Sequence, residues 1–374
     1  MNWRTYILTL SIGVCTVCSR ALEPDFDARG RQFIGIDSLA GFTNGTESSS
    51  AETVLTSPKL QSRIHFNEVV LSWNADTPGK THIIVEARVI YPEMATKYYE
   101  LGLWSASSKE FPRRSVPDQK DTDGDVRTDT LVLQQPADCL QIRLRLAGEE
   151  PGRPTVRFLG ISLADTNVRV RQLPPETNAW DKLLPVPQRT QMIYPNGKTL
   201  CSPTTVSMLM AFWAETLKRP ELDHTVPEVA AATYDAQWQG AGNWPFNMAY
   251  AGSFKSMRAY VARFSDVSEL EQWIAEGTPV GLSVDYDRLR AKGPGPNGHL
   301  VVCVGFTKAG DPVINDPGTS QHVQKIFPRR NLIDAWACSR NTVYLVYPEN
   351  AATPSDRFGH WDSATSRAWI PARK

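Results

Sequence analysis

A cysteine, a histidine and an aspartate occur in the second half of the chain in an order that could support nucleophilic catalysis. Cys201 lies in Thr199-Leu-Cys-Ser-Pro-Thr-Thr205, where Ser202 suits a helix N-cap and Pro203 suits the first helical position. The dipole and the free N–H groups of a helix N-terminus favour a thiolate. The pattern therefore predicts an activated nucleophile at Cys201, and a buried, inert cysteine is the alternative.

His299 and Asp316 could assist this thiol. His299 opens an apolar strand that continues to Phe306, and its neutral imidazole could take the thiol proton. A hairpin through residues 308–311 would bring Asp316 back to His299, where a carboxylate would hold the imidazole tautomer. Taken singly, the two residues could be a surface-loop histidine and an ordinary Asn-Asp-Pro turn. No other histidine, His360 included, has a comparable setting.

The sequence around these residues predicts an α+β domain that positions them. Apolar residues at i, i+3, i+4 and i+7 predict an amphipathic helix over Pro203–Leu217. Helices are predicted over 227–234, 247–263 and 267–276, and strands over 280–284, 299–306, 312–315 and 342–347. Helices followed by strands in about 165 residues are typical of the α+β class.

The first half of the chain has a different pattern. Alternating apolar and polar residues predict six strands, over 64–73, 81–90, 97–104, 128–133, 140–146 and 156–163. Their spacing favours an antiparallel β-sandwich of jelly-roll type. We therefore predict a multidomain chain with a signal peptide (1–21), a β-sandwich (22–173), a Pro-rich linker (174–185), the α+β domain (186–348) and a C-terminal tail (349–374).

Residues 186–348 resemble the papain-like cysteine peptidases of the bacteriocin-processing group, family thirty-nine, which cleave double-glycine leader peptides. The matching motifs are Cys201-Ser-Pro203, Gly298-His299 and Asp316-Pro317, in that order. The resemblance implies a papain-like fold and implies that Gln191 is the oxyanion-hole glutamine, with Gln188 as the alternative.

Further motifs resemble a secreted bacterial branch of this family that carries an N-terminal β-rich domain. They are Gly242-Asn-Trp-Pro245, Trp336, Phe66-Asn-Glu68, Ser72-Trp-Asn74 and Asp121-Thr-Asp-Gly124. Two departures stand out. Ser202 replaces the glycine after the nucleophile, which we expect to tighten the turn and change how substrate approaches. No transporter region accompanies the domain, so the leader-peptide substrate does not carry over.

The N-terminus predicts export. Thr5–Ser19 is an uncharged, apolar run after Arg4 that is short for a membrane span, and small residues suitable for cleavage follow it. The alternatives are an uncleaved anchor, a buried helix or a lipoprotein. After cleavage the chain keeps Cys139, Cys201, Cys303 and Cys338, of which one pair could form a disulfide. Cys303 with Cys338 is the favoured pair if Cys201 stays free.

The predicted function is that of a secreted or periplasmic thiol hydrolase, a cysteine peptidase that cleaves peptide amide bonds through an acyl-enzyme. Forty basic and forty acidic residues cancel, which gives no reason to expect a nucleic-acid or membrane partner. The proposed thiol chemistry implies no metal or organic cofactor. Residues 121–125 resemble part of a calcium loop, but Val132 stands where the last carboxylate would be, so a solvated hairpin turn is favoured. The β-domain is expected to bind an extracellular glycan or peptide, or to shield the cleft. The alternatives are an amidase or acyltransferase on cell-wall peptides and a non-catalytic binding protein.

Overall fold

The computed structural model describes residues 29–148 and 152–361. The predicted signal peptide (1–21) and the end of the predicted tail (362–374) lie outside the described residues. Within the described ranges, no helix is both long enough and apolar enough to cross a membrane.

The first domain is an antiparallel β-structure, as the sequence predicts. Its strands are β1 (Arg31–Ile36), β2 (Thr43–Asn44), β3 (Glu52–Thr56), β4 (Leu60–Asp76), β5 (His82–Val89), β6 (Tyr99–Trp104), β7 (Gly124–Arg127), β8 (Thr130–Ala147) and β9 (Thr155–Ala164).

Two long strands organise this domain. β4 pairs with β8 near Leu60 and with β9 from Glu68 onward, and its pairing with β8 shifts register around Phe66. β8 joins the two predicted strands 128–133 and 140–146 into one, and Pro136, which cannot donate to a neighbouring strand, lies where the regular pairing is interrupted. The short strands β1 and β3 carry too little alternation to be predicted.

The second domain is an α+β structure, also as predicted. Its strands are β10 (Lys182–Leu183), β11 (Met257–Arg263), β12 (Val280–Asp285), β13 (Gly298–Phe306), β14 (Pro312–Asn315), β15 (Gln324–Ile326) and β16 (Thr342–Pro348), in the sheet order β11-β16-β12-β13-β14-β15 with β10 beside β13. Its helices are α1 (Cys201–Leu217), α2 (Val226–Thr233), α3 (Trp244–Ala251), α4 (Val267–Ala275), α5 (Tyr286–Leu289) and α6 (Arg329–Ala337).

Two helix predictions need correction. The helix expected over 247–263 ends at Ala251, because Gly252 closes it and the chain then enters β11, which is buried along its whole length. A short, fully buried strand cannot be told from a buried helix by periodicity. The α1 helix is buried from Ser202 to Ala214, so it is a central helix and not the amphipathic one that was predicted.

The segment predicted as a linker packs along the second sheet. Lys182 and Leu183 pair with Phe306 and Gly305 of β13, and Ala179 is fully buried. The short helix Thr177–Ala179 leads into this pairing. Extended proline-rich backbone is therefore used here as an edge strand.

The two domains share buried residues and hydrogen bonds. Phe246 of α3 packs into the β-domain core, at ring-centroid distances of 6.1 Å from Trp73 and 5.7 Å from Trp104. The amide of Asn74 in β4 exchanges two hydrogen bonds with the backbone of Ala259 in β11, of 2.6 and 3.1 Å. Contacts of this kind order one domain against the other.

Candidate active site

Cys201 is the first residue of α1, and Leu200 is the N-cap. The prediction that Ser202 caps the helix and Pro203 opens it is therefore wrong by two positions. The reason is that a 3-10 turn over Gly197–Thr199 runs directly into α1, so backbone geometry replaces a side-chain cap. Pro203 still lies in the first turn, where its missing N–H costs nothing.

Ser202, which stands at the position of the expected glycine, faces the protein interior. Its side chain is fully buried and shares a hydrogen bond of 2.8 Å with the hydroxyl of Tyr344 in β16. The serine that replaces the expected glycine therefore connects α1 to the central sheet.

His299 and Asp316 lie together on a hairpin, as the sequence predicts. β13 and β14 are antiparallel neighbours joined by residues 307–311, and this pairing brings the residue after β14 beside the start of β13. His299 Nε2 lies 2.8 Å from Asp316 Oδ1. Both side chains are buried, with exposed fractions of 4% and 0%.

Tyr286 and Gly318 complete the surroundings of the imidazole, and the sequence analysis missed both. The Tyr286 hydroxyl donates to Asp316 Oδ2 at 2.9 Å, and its ring centroid lies 4.0 Å from that of His299. A Cβ at Gly318 would lie 2.8 Å from the Tyr286 hydroxyl and 3.0 Å from His299 Nε2, so only glycine fits without displacing them. The 30-residue separation of Tyr286 from Asp316 leaves no local signal.

The side chains of Cys201 and His299 shift each other's pKa. Burial raises the pKa of the Cys201 thiol, but the bond to His299, its charge and the backbone N–H groups of Leu300 and Ser202 bring that pKa below its ordinary value. Burial lowers the pKa of His299, yet the bonds to Asp316 and Cys201 raise it to about 9. Both shifts favour a thiolate–imidazolium pair. Since Asp316 holds Nε2, Nδ1 is the ring nitrogen left for the thiol.

The structure favours Gln191 over Gln188 as the amide of this site. Gln191 is buried with 3% exposure, and its side-chain oxygen has no hydrogen-bond partner among the described residues, whereas Gln188 is exposed. The Gln191 N–H donates to the Pro317 carbonyl at 3.0 Å. Thr190, which the sequence analysis did not single out, donates its hydroxyl to the Pro317 carbonyl at 3.3 Å. Gln191 is thereby fixed beside the turn that carries Asp316.

All four cysteines of the described chain are free, so the Cys303–Cys338 disulfide is not formed. Cys303 is fully buried in β13 and directs its thiol to the Gly305 carbonyl, while Cys338 is exposed at the end of α6. In the part of the chain that the structure describes, no three His, Cys, Asp or Glu side chains are grouped so as to hold a metal ion. Asp121 accepts the N–H groups of Asp123 and Gly124 and so closes a turn.

Fold and site together define a class: a two-domain protein whose α+β half carries a linked cysteine, histidine and aspartate. Comparison with known families agrees. A family model described as the peptidase C39 N-terminal domain matches residues 28–164, and the model of the Peptidase C39-like family matches residues 183–344. The chain belongs to the C39-like cysteine peptidases and carries the N-terminal domain of that group.

Other comparisons add little. No curated protein matches the chain significantly. One solved structure that gives a match is described as "Structural basis for the promiscuous specificity of the carbohydrate-binding modules from the beta-sandwich super family". It is 13% identical, and the match covers 38% of this chain and 57% of that one with a TM-score of 0.15. A likeness at this level carries no argument about fold or ligand.

Proposed function

We propose that the protein is an exported cysteine peptidase that cleaves peptide amide bonds through an acyl-enzyme. Cys201 is the nucleophile, His299 the acid and base, and Asp316 the residue that orients the imidazole. The observation that carries this proposal is the 2.8 Å hydrogen bond between Asp316 and His299, together with the electrostatic interaction of His299 with the Cys201 thiol at the start of α1. Export rests on the apolar N-terminal segment alone.

The first half-reaction begins from the thiolate–imidazolium pair. Cys201 Sγ attacks the carbonyl carbon of the scissile amide and forms a tetrahedral oxyanion. The His299 imidazolium then gives its proton to the leaving nitrogen, the C–N bond breaks, and a thioester remains. In the second half-reaction His299 takes a proton from water, the resulting hydroxide attacks the thioester, and the thiolate is released with the carboxylic acid product.

We assign the stabilisation of the oxyanion to two groups. The Cys201 N–H belongs to the first helical residue, so it has no acceptor within α1. The second is the Gln191 side chain, which is buried beside the Asp316–Pro317 turn and would donate an amide N–H to the oxyanion. Because the protein already holds this amide in position, little reorganisation is needed when negative charge develops on the substrate oxygen. Preorganised donors of this kind are the source of oxyanion-hole catalysis.

A cysteine replacement tests the proposal. Purified chain would be assayed against a library of quenched fluorescent peptides, alongside Cys201→Ala and the matched control Cys338→Ser, which alters an exposed thiol. We expect Cys201→Ala to lower kcat/KM by about 10³-fold or more while Cys338→Ser retains full activity. Equal activity of Cys201→Ala and the unaltered protein would refute the proposed nucleophile.

A further inference from the structure

A pocket of about 430 Å³ is lined in part by Thr199 and Leu200, the two residues that precede the proposed nucleophile. We infer that it is a subsite for one large, uncharged, apolar side chain of the peptide substrate, and that the β-domain holds its outer wall. This inference rests on the proposed peptidase function and specifies the substrate class.

Three segments form the pocket. The first is Tyr194–Leu200, the second is one face of α2, and the third is the loop of residues 234–241, which is called the rim loop below. Tyr194–Leu200 is the segment that joins Gln191 to Cys201. Leu200 lines the pocket and directly precedes the nucleophile, so the Cα atoms of these two residues lie about 3.8 Å apart. A peptide whose carbonyl lies between Gln191 and Cys201 therefore places a nearby side chain at this pocket.

The lining selects an uncharged apolar group. Its apolar members come from all three segments and include Leu200, Pro227 and Tyr234, and none of the described lining residues carries a charge. A charged side chain would lose water here without gaining a partner, which is unfavourable. The small residues Ala230 and Ala231 leave the space open.

Exposed apolar side chains surround the entrance. Tyr234 and Trp238 of the rim loop are 45% and 49% exposed, and Ile193, on the segment after Gln191, is 69% exposed. The Trp238 indole packs closely over Gly240 and Gly242, where a Cβ would lie 2.8 and 2.9 Å from its ring. Exposed large apolar groups next to a pocket are typical of a binding surface.

The β-domain fixes the rim loop through Asp235. Its carboxylate accepts the backbone N–H of Ser115 at 3.1 Å, and it also accepts the N–H groups of Gln237 and Trp238 within the loop. Arg113, two residues before Ser115 in the same segment of the β-domain, donates a guanidinium N–H to the Ala231 carbonyl at 2.6 Å. The Ala236 N–H donates back to the Arg113 carbonyl at 2.8 Å. The wall of the pocket is thus anchored in a different domain from the nucleophile.

The experiment fills the pocket and compares a matched variant. Ala230→Phe places a ring in the pocket, whereas Ala232→Phe adds the same ring to another half-buried position of α2 that does not line it. Both variants and the unaltered protein would be assayed on peptides that share one scissile bond and differ at single nearby positions. Alkylation of Cys201 by iodoacetamide and the melting temperature would be measured in parallel.

We expect the unaltered protein to prefer Phe, Leu or Met over Gly or Asp at one position by roughly 10- to 100-fold in kcat/KM. Ala230→Phe should remove that preference with an unchanged alkylation rate, and Ala232→Phe should keep it. Arg113→Gln, which loosens the rim loop from the β-domain, should weaken the preference through KM.

Other outcomes separate the two claims. If the protein cleaves peptides without an apolar preference, or if Ala230→Phe keeps the preference, the subsite is wrong and the peptidase proposal stands. If Arg113→Gln folds and keeps the full preference, the role of the β-domain is wrong. If no peptide is cleaved, the proposed function falls and the subsite with it.

Discussion

The protein contains two buried histidine–carboxylate pairs, and their comparison shows what distinguishes a catalytic arrangement from a structural one. His299 lies 2.8 Å from Asp316, and His360 lies 2.6 Å from Glu269. Both histidines are at most 4% exposed and both contact an aromatic ring, Tyr286 in one case and Phe358 in the other. Burial beside a carboxylate is therefore not in itself a sign of catalysis.

The difference lies in what else each pair contacts. Asp316 also accepts the Tyr286 hydroxyl, and the free edge of His299 faces the Cys201 thiol. Glu269 in α4 instead accepts the hydroxyl of Ser265, and the His360 backbone N–H donates to Asp356. The His360–Glu269 pair connects the segment after β16 to α4. The His299–Asp316 pair instead lies next to the partly exposed Cys201 thiol at the start of α1.

The largest expected effect comes from removing each imidazole in turn. His299→Ala should lower kcat/KM by at least about 100-fold, because the thiolate loses its proton donor and its counter-ion. His360→Ala should leave kcat/KM of the folded protein unchanged but lower the free energy of unfolding by about 3 kcal/mol, since Glu269 remains buried without its partner. Peptide assays and urea unfolding of both variants measure these two quantities. If a folded His360→Ala variant lost activity, the distinction between a catalytic pair at His299 and a structural pair at His360 would be wrong.

A smaller effect is expected from neutralising each carboxylate. In Asp316→Asn an amide oxygen can still accept from Nε2, but the lost charge lowers the pKa of His299. We expect kcat/KM to fall by roughly 10- to 100-fold, with the decline of activity at high pH moving to lower pH. Glu269→Gln should change neither activity nor its pH profile. Identical pH profiles for Asp316→Asn and the unaltered protein would contradict the orienting role.

The smallest effect is expected at the aromatic neighbours. Tyr286→Phe removes one hydrogen bond to Asp316 and makes this site resemble the one at His360, where Phe358 has no hydroxyl. We expect kcat/KM to fall by about 5-fold, because one hydrogen bond contributes about 1 kcal/mol. Steady-state kinetics at several pH values would measure it. A loss as large as that of His299→Ala would mean that Tyr286 itself takes part in the chemistry.

The same comparison shows what the sequence could reveal. His299 and Asp316 were predicted to meet because two neighbouring strands and the short connection between them bring the two residues together locally. His360 was dismissed, since nothing near it in sequence indicates Glu269, 91 residues away. Tyr286 was missed for the same reason. Local patterns predict contacts across a hairpin, but contacts between distant elements depend on the whole packing.

The β-domain gives a parallel result. The alternation of apolar and polar residues predicts its fold class. It does not predict its role, because the residues that contact the second domain look like ordinary strand residues. Two motifs that resembled the secreted branch lie at this contact. Asn74 bonds to Ala259, and Glu68 forms a 2.8 Å ion pair with Arg263. The contact between the two domains therefore explains both motifs.

The pH dependence of stability follows from the His299 pair. Because the folded pKa of about 9 lies above the unfolded value of 6.5, the pair contributes stability that is complete below pH 6.5. This contribution is lost as pH rises through about 9. Urea unfolding of the unaltered protein and His299→Ala should differ most in stability below pH 6.5, and the difference should narrow as pH rises through about 9.

The most direct test of the thiolate–imidazolium pair is the rate of Cys201 alkylation by iodoacetamide as a function of pH. Mass spectrometry can follow Cys201 and the exposed Cys338 in the same sample. We predict that Cys201 reacts at pH values well below the ordinary thiol pKa of 9, that its profile changes again near pH 9 as His299 loses its proton, and that His299→Ala moves its reactivity to higher pH. A Cys201 profile that matches Cys338 and is unaltered in His299→Ala would contradict the account.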